Sequence, residues 1–166
     1  MISRRILGLG VIGTVLGLGA CSTKFKTYRG PEVTRIAVFK GSRKMYVYHN
    51  DKVLQAHEID LGFAPTGHKQ VEGDGKTPEG RYTINRRNPN SAFHLSLGIS
   101  YPNNADRAAA AALGKSPGGD IFIHGQKSPL KRGGPDWTAG CISVSNDEME
   151  DLYAMVRNGT VIDLYA

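Results

Sequence analysis

From Arg35 onward the chain alternates short apolar runs with polar turns. Arg35–Lys40 and Met45–His49 read as strands joined by a Gly41-Ser42 turn. Asn50-Asp51 is a hairpin signal. Lys52–Leu61 then follows as a third strand, with Val53, Gln55 and His57 alternating against Leu54, Ala56 and Glu58. This opening predicts a three-stranded meander. Arg81–Arg86 is a further strand. Phe93–Ser100 alternates cleanly, with His94, Ser96, Gly98 and Ser100 on one face and Phe93, Leu95, Leu97 and Ile99 on the other. That is the pattern of a half-buried strand whose polar face lines a groove or meets solvent. Ile121–His124 is apolar on both sides, as a central strand is, and Thr160–Tyr165 ends the series. Two segments change to helical character. Ala105–Leu113 is alanine-rich, capped by Asn103 or Asn104 and stopped by Gly114. The second starts at the Ser145-x-x-Glu148 capping box and runs to about Asn158, with Met149, Leu152, Tyr153 and Val156 on its apolar side. The pattern predicts a β-rich domain of about seven or eight strands and two short helices.

The N-terminus follows a different logic. Arg4-Arg5 precedes an apolar run, Ile6–Ala20, which ends Leu18-Gly19-Ala20-Cys21. That is the layout of a secretory signal, too short for a comfortable membrane span. Small residues before Cys21 resemble a lipobox, so residues 1–20 are expected to be a lipoprotein-type signal peptide and Cys21 the lipidated residue. An ordinary signal cleaved near Ala20 is the alternative. Residues 21–33 read as a solvated tether carrying Lys24, Lys26 and Arg29, and residues 34–166 as one catalytic-sized domain. With Arg4 and Arg5 removed, 19 of the 21 basic residues face 15 acidic ones, a formal charge of +4. That mild excess suits an anionic wall or membrane surface and lacks the clustered basic stripe expected for nucleic acid. The reading places the protein in the periplasm, lipid-anchored, with the outer membrane favoured over the inner.

Cysteine usage adds chemistry. Only Cys21 and Cys141 are present, so a lipidated Cys21 leaves Cys141 without a partner in an exported chain. Asp120 to Asn146 brings His124, Gly125 and then Thr138-Ala139-Gly140-Cys141 into one segment. An imidazole that takes the thiol proton makes a thiolate–imidazolium pair, the equipment of a nucleophilic cysteine. The carbonyl of Gly125 can orient the His124 ring, and the N–H groups of Gly140 and Cys141 are candidate oxyanion donors. A buried structural cysteine and a core histidine fit the same spacing. No His, Cys, Asp or Glu cluster at ligand spacing implies a metal, and a Cys/His nucleophile pair implies no cofactor. His49 and His57 read as surface or pocket-edge residues. The long loop Phe63–Gly80 is of the length that is usually functional or disordered.

These residues resemble the active-site motif of the L,D-transpeptidase catalytic domain, the YkuD-like family: a His, a spacer, then Thr138-Ala139-Gly140-Cys141-Ile142-Ser143. Lys76-Thr77-Pro78-Glu79-Gly80 resembles the family's T-P-x-G strand-entry segment, and Asn88-Pro89-Asn90, His94–Leu97, Ile99–Pro102 and Pro117–Gly125 resemble its YafK-type branch. The resemblance implies a mainly antiparallel, sandwich- or barrel-like β fold acting on peptidoglycan stem peptides. It implies Cys141 as nucleophile, His124 as general base, Gly125 as the residue whose carbonyl orients His124, and Gly140 in the oxyanion region. It allows transfer to an amine, or hydrolysis that cleaves L,D bonds or releases a wall-attached lipoprotein. A non-catalytic peptidoglycan-binding lipoprotein is the alternative of another class. The family's usual His before Gly-Cys is Ala139 here, and Ser143 stands where a basic or amide residue is common. His94, Ser96, Tyr101, Trp137, Thr138 and Ser143 are candidate substrate contacts. Arg81, Arg86, Arg87 and Lys127 are candidates for stem-peptide carboxylates.

Overall fold

The computed structural model describes residues 23–127 and 134–166. The expected signal peptide, the lipidation site Cys21 and positions 128–133 of the His124–Cys141 segment lie outside the described residues. The strands are β1 (Arg35–Phe39), β2 (Lys44–His49), β3 (Lys52–Glu58), β4 (Gly80–Asn88), β5 (Ser96–Ile99), β6 (Phe122–His124), β7 (Ile142–Ser143) and β8 (Val161–Tyr165). The helices are α1 (Asn104–Ala112) and α2 (Asn146–Met155).

All eight strands join one curled sheet in the order β3-β2-β1-β8-β4-β5-β6-β7. Only β1–β8 and β6–β7 pair in parallel. An isolated bridge between Asp60, just past β3, and Ser143 in β7 brings the two ends of the curl together. The fold is therefore β-rich, mainly antiparallel and barrel-like, with two short helices. Ile36, Val38, Met45, Val47, Ile162 and Leu164 fill the curl's interior. From α2, Met149 and Leu152 are fully buried and Met155 nearly so, and the helix packs on β5 and β6. Each such side chain contributes about 1.5–3 kcal/mol on burial. The capping boxes form at both helix starts, from Asn103 with Asp106 and from Ser145 with Glu148.

Five local expectations need correction. The third strand stops at Glu58, because Asp60 leaves β2 to bridge Ser143. Phe93–Ser100 is strand only over Ser96–Ile99, and those four residues are buried on both faces between β4 and β6. Helix α2 ends at Met155, since Val156 turns extended and enters the core. Arg87 caps that end by donating to the carbonyls of Tyr153 and Val156. His57 is buried, facing Glu148 at 3.3 Å and Gln55 at 3.2 Å. Finally, the described part of the tether is docked on the domain. Lys24 Nζ donates to Pro89 O (2.6 Å) and His94 O (3.2 Å). Lys26 pairs with Asp151 at 2.9 Å, and Tyr28 packs against the core.

Candidate active site

His124 ends β6 and is 4% exposed. Register places it opposite Ser96 on β5 and Ser143 on β7. Its Nδ1 lies 2.7 Å from the carbonyl of Gly125, so Nδ1–H donates there and Nε2 keeps its lone pair. A Cβ on Gly125 would meet Asn146 Oδ1 at 2.5 Å and Phe93 O at 3.1 Å, so a side chain there would displace the Asn146 amide. Phe93 stacks on the imidazole at a centroid distance of 4.6 Å, and Trp137 meets it edge-on at 5.6 Å. Lys24 bonds to carbonyls on either side of Phe93, which ties the docked tether to the aromatic wall of the site.

Cys141 immediately precedes β7 and is half-buried. It shares a cavity of about 230 Å³ with His124, Ser96, Phe93, Phe122 and Asp120. Its thiol donates to Asp120 O at 3.5 Å. Asp120 itself sits at φ 53, a left-handed conformation that turns its carbonyl toward the sulfur. Gly140 adopts φ +128, and a Cβ there would meet Lys76 O at 2.6 Å. The long loop Phe63–Gly80 is what approaches so closely. It is ordered by Lys40, a fully buried cation that donates to Gly67 O, Thr77 O and Glu79.

Burial pushes the Cys141 thiol up, only partly opposed by a backbone hydrogen bond from Phe122. Burial also pushes the His124 imidazole down, only partly opposed by its bond to Gly125. Both shifts favour the uncharged forms. That direction works against the thiolate–imidazolium pair in the free protein. Alkylation of Cys141 by iodoacetamide is expected to titrate above the ordinary thiol value of 9.0, and His124 below 6.5 by NMR. A thiol titrating well below 9.0 would contradict this.

The remaining candidates separate into near and far. Ser96 lines the His124–Cys141 cavity and Trp137 packs against its imidazole. His94 does not join them: at φ 71 its ring points to Glu150, 2.8 Å away, in a separate cavity with Lys127 at the start of α2. Tyr101 is buried in the core, its hydroxyl on Pro117 O at 3.1 Å, and burial raises it to about 12. Ser143 is buried and accepts from Gln126 at 2.8 Å. Thr138 is structural in its contacts, donating to Cys141 O at 2.8 Å and accepting the N–H of Gly140 at 3.1 Å. That last bond removes Gly140 N–H from the expected oxyanion pair. Arg81 is bound to Asp163, and Arg87 is spent on α2. Arg86 alone of the three arginines reaches the cavity rim, pairing with Asp120 at 2.7 Å over the Phe122 ring. Among the described residues no group of three or more His, Cys, Asp or Glu side chains is placed to hold a metal.

The model of the L,D-transpeptidase catalytic domain (YkuD) matches residues 33–164. The chain belongs to that family. Among its relatives is the Escherichia coli (strain K12) protein named "Putative L,D-transpeptidase YafK", 25% identical over 158 residues that make up 92% of this chain. The chain spans 58% of that relative's length. The helical cell shape determining protein Pgp2 from Campylobacter jejuni superposes with a TM-score of 0.63 at 27% identity, over 82% of this chain and 49% of that one. An L,D-transpeptidase from Mycobacterium smegmatis shares the fold at a TM-score of 0.55 and 17% identity, over 82% of this chain and 60% of its own.

Sequence reasoning missed Asp120, Phe93 and Lys69 as neighbours of the pair. Asp120 followed Gly118-Gly119, a signal of unusual backbone. Phe93 and Lys69 carried no local signal.

Proposed function

We propose that this L,D-transpeptidase-family domain is a cell-wall cysteine acyltransferase that takes peptidoglycan stem peptides through a thioester on Cys141. The observation that carries it is His124 and Cys141 lining one cavity, with His124 held by Gly125 in the tautomer a general base needs. In this reading Sγ attacks the carbonyl of the L-centre in the donor as Nε2 of His124 takes the thiol proton. The oxyanion develops toward the N–H of Cys141, because the N–H of Gly140 is held by Thr138. His124 then hands the proton to the leaving D-residue amine, and the C–N bond breaks. An amine acceptor attacks the thioester, gives its proton to His124 and releases the thiolate, which is reprotonated. Water in place of the amine makes the same acyl-enzyme a hydrolase, including one that frees a wall-attached lipoprotein. Incubation with purified sacculi and mass analysis of muropeptides tests this. New L,D-linked or shortened stems are expected; unchanged muropeptides with intact protein would favour the binding-only alternative.

The same proposal includes a periplasmic location with lipid on Cys21. Labelled palmitate should enter the chain and be lost in Cys21→Ser; label retained in that variant would contradict the anchor.

A further inference from the structure

One turn carries the ring that lies on His124. Leu95 N donates to Phe93 O at 2.9 Å around His94, which stands at φ 71. That is a γ-turn of the rare, strained kind, and His94 is no glycine. Backbone in that region relaxes unless its surroundings hold it. Two contacts do so. The His94 ring meets Glu150 of α2 at 2.8 Å, and His94 O accepts from Lys24 Nζ at 3.2 Å. The same ammonium donates to Pro89 O at 2.6 Å, so Lys24 joins the two ends of segment 89–94. Asn88, Ser91, Phe93 and Ser96 put that stretch on the wall of the His124–Cys141 cavity, whereas Lys24 lies outside it. The tether brings the ammonium there on a fixed course. Lys26 is paired with Asp151 at 2.9 Å and donates to Asp147 O at 3.1 Å, and Val33 is buried in the core. A cation held by two carbonyls makes charge-assisted bonds, stronger than those between neutral groups.

What the turn controls is the imidazole and not its backbone. The sheet fixes the backbone: Ser96 and His124 are in register, and Gly125 N donates to Leu95 O at 3.3 Å. The ring is limited by its neighbours. Gly125 O takes Nδ1–H at 2.7 Å, Trp137 meets the ring edge-on, and Phe93 covers one face at 4.6 Å with the planes 28° apart. Phe93 belongs to no strand or helix, so its place depends on the turn it begins. We infer that Lys24 is a positioning residue for His124: by bonding Pro89 O and His94 O it keeps the strained turn in place, and the turn keeps the Phe93 ring on the imidazole. The consequence for rate rests on the acyl-enzyme reading given above; the consequence for the imidazole does not.

The test uses the full chain and two readouts. The imidazole proton signal of His124 is assigned by its loss in His124→Gln. A proton over the face of an aromatic ring resonates upfield, so in Lys24→Met that signal is expected to move downfield. With a tetrapeptide donor at saturation, acyl-enzyme formation followed by intact mass is expected to slow about tenfold. Lys24→Arg should restore both, because a guanidinium can also donate to two carbonyls. In Phe93→Leu the link is already cut, so adding Lys24→Met should change the rate by less than about twofold. A lysine that merely steadies the fold would leave the signal in place and cost as much in Phe93→Leu as in the parent; either result overturns the assignment. Failure of the acylation reading looks different. If even the parent chain forms no thioester, while the signal moves in Lys24→Met and returns in Lys24→Arg, acylation fails and the positioning stands. If the parent is acylated and Lys24→Met changes neither readout, the positioning fails and acylation stands.

Discussion

The Cys141→Ala protein is expected to fold as the parent does and to form no acyl-enzyme, its turnover falling by roughly a thousandfold or more. The two halves of that expectation come from separate features. The sulfur is half-buried, and its polar contacts are a 3.5 Å approach to Asp120 O and a backbone hydrogen bond from Phe122, so losing it removes little from the fold: about 1 kcal/mol or less. Chemistry, in contrast, has no substitute. Among the described residues Cys141 is the free cysteine, and the cavity it shares with His124 offers Ser91 and Ser96 as the other hydroxyl or thiol groups. Ser96 is paired by register with His124 on the neighbouring strand. A serine alkoxide at that place would need a base as well positioned as the one Cys141 has. Thermal melts and acyl-enzyme mass spectra on one sample check both halves. Appreciable turnover by the variant would refute the thioester mechanism.

What could be read along the chain was whatever is written locally. Short apolar runs gave β1, β2 and β8, Ser145-x-x-Glu148 marked the start of α2, and Asn103 or Asn104 marked that of α1 to within a residue. The His124–Gly125 contact could be read because the two residues are adjacent, so only the ring orientation needed inferring. The failures share a cause: each turned on which partner arrives from elsewhere in the chain. Alternation gave Ser96 and Gly98 a polar face, yet β4 and β6 bury β5 on both sides. Tyr101 and Ser143 are polar residues near the motif, but packing sends one hydroxyl to Pro117 and ties the other to Gln126. Lys24 and Lys26 read as solvated charges because their partners, the carbonyls of Pro89 and His94 for one and the acidic residues of α2 for the other, are invisible from the tether. The burial around His124 was hidden for a similar reason, since it depends on Phe93 and Trp137.

Gly62→Ala is the second large effect expected, and it falls on stability. At this point three backbone segments converge. Phe63 N donates to Thr138 O at 2.9 Å, Ala64 N to Gly75 O at 3.1 Å, and Gly62 N to Thr77 Oγ1 at 3.3 Å. A Cβ on Gly62 would sit 2.0 Å from Gly75 O and within 2.9 Å of Gly140 N. None of these is the movable end of a flexible side chain, so the backbone itself must shift. Overpacking of this kind costs about 2–4 kcal/mol, or roughly 10 °C in Tm for a domain of this size. The shift is transmitted to Gly140 and hence to the residue that follows it, Cys141, so acylation should slow in the folded fraction too. Gly41→Ala is the matched control. Its nearest neighbour, Ala166 O, would lie at an ordinary 3.6 Å, and its stability should change by less than about 0.5 kcal/mol. Equal melting temperatures for the two variants would show that the convergence of these loops is looser than described.

The central claim is that a stem-peptide acyl group becomes bonded to Cys141. The most direct measurement is intact-protein mass spectrometry of the full chain mixed with a tetrapeptide donor, quenched in acid, with peptide mapping of the adduct. The predicted result is a mass gain equal to the donor less its terminal D-residue, located on Cys141, removed by hydroxylamine and absent when His124 is replaced by alanine. An adduct on any other residue, or release of the D-residue at an undiminished rate from Cys141→Ala, would contradict it.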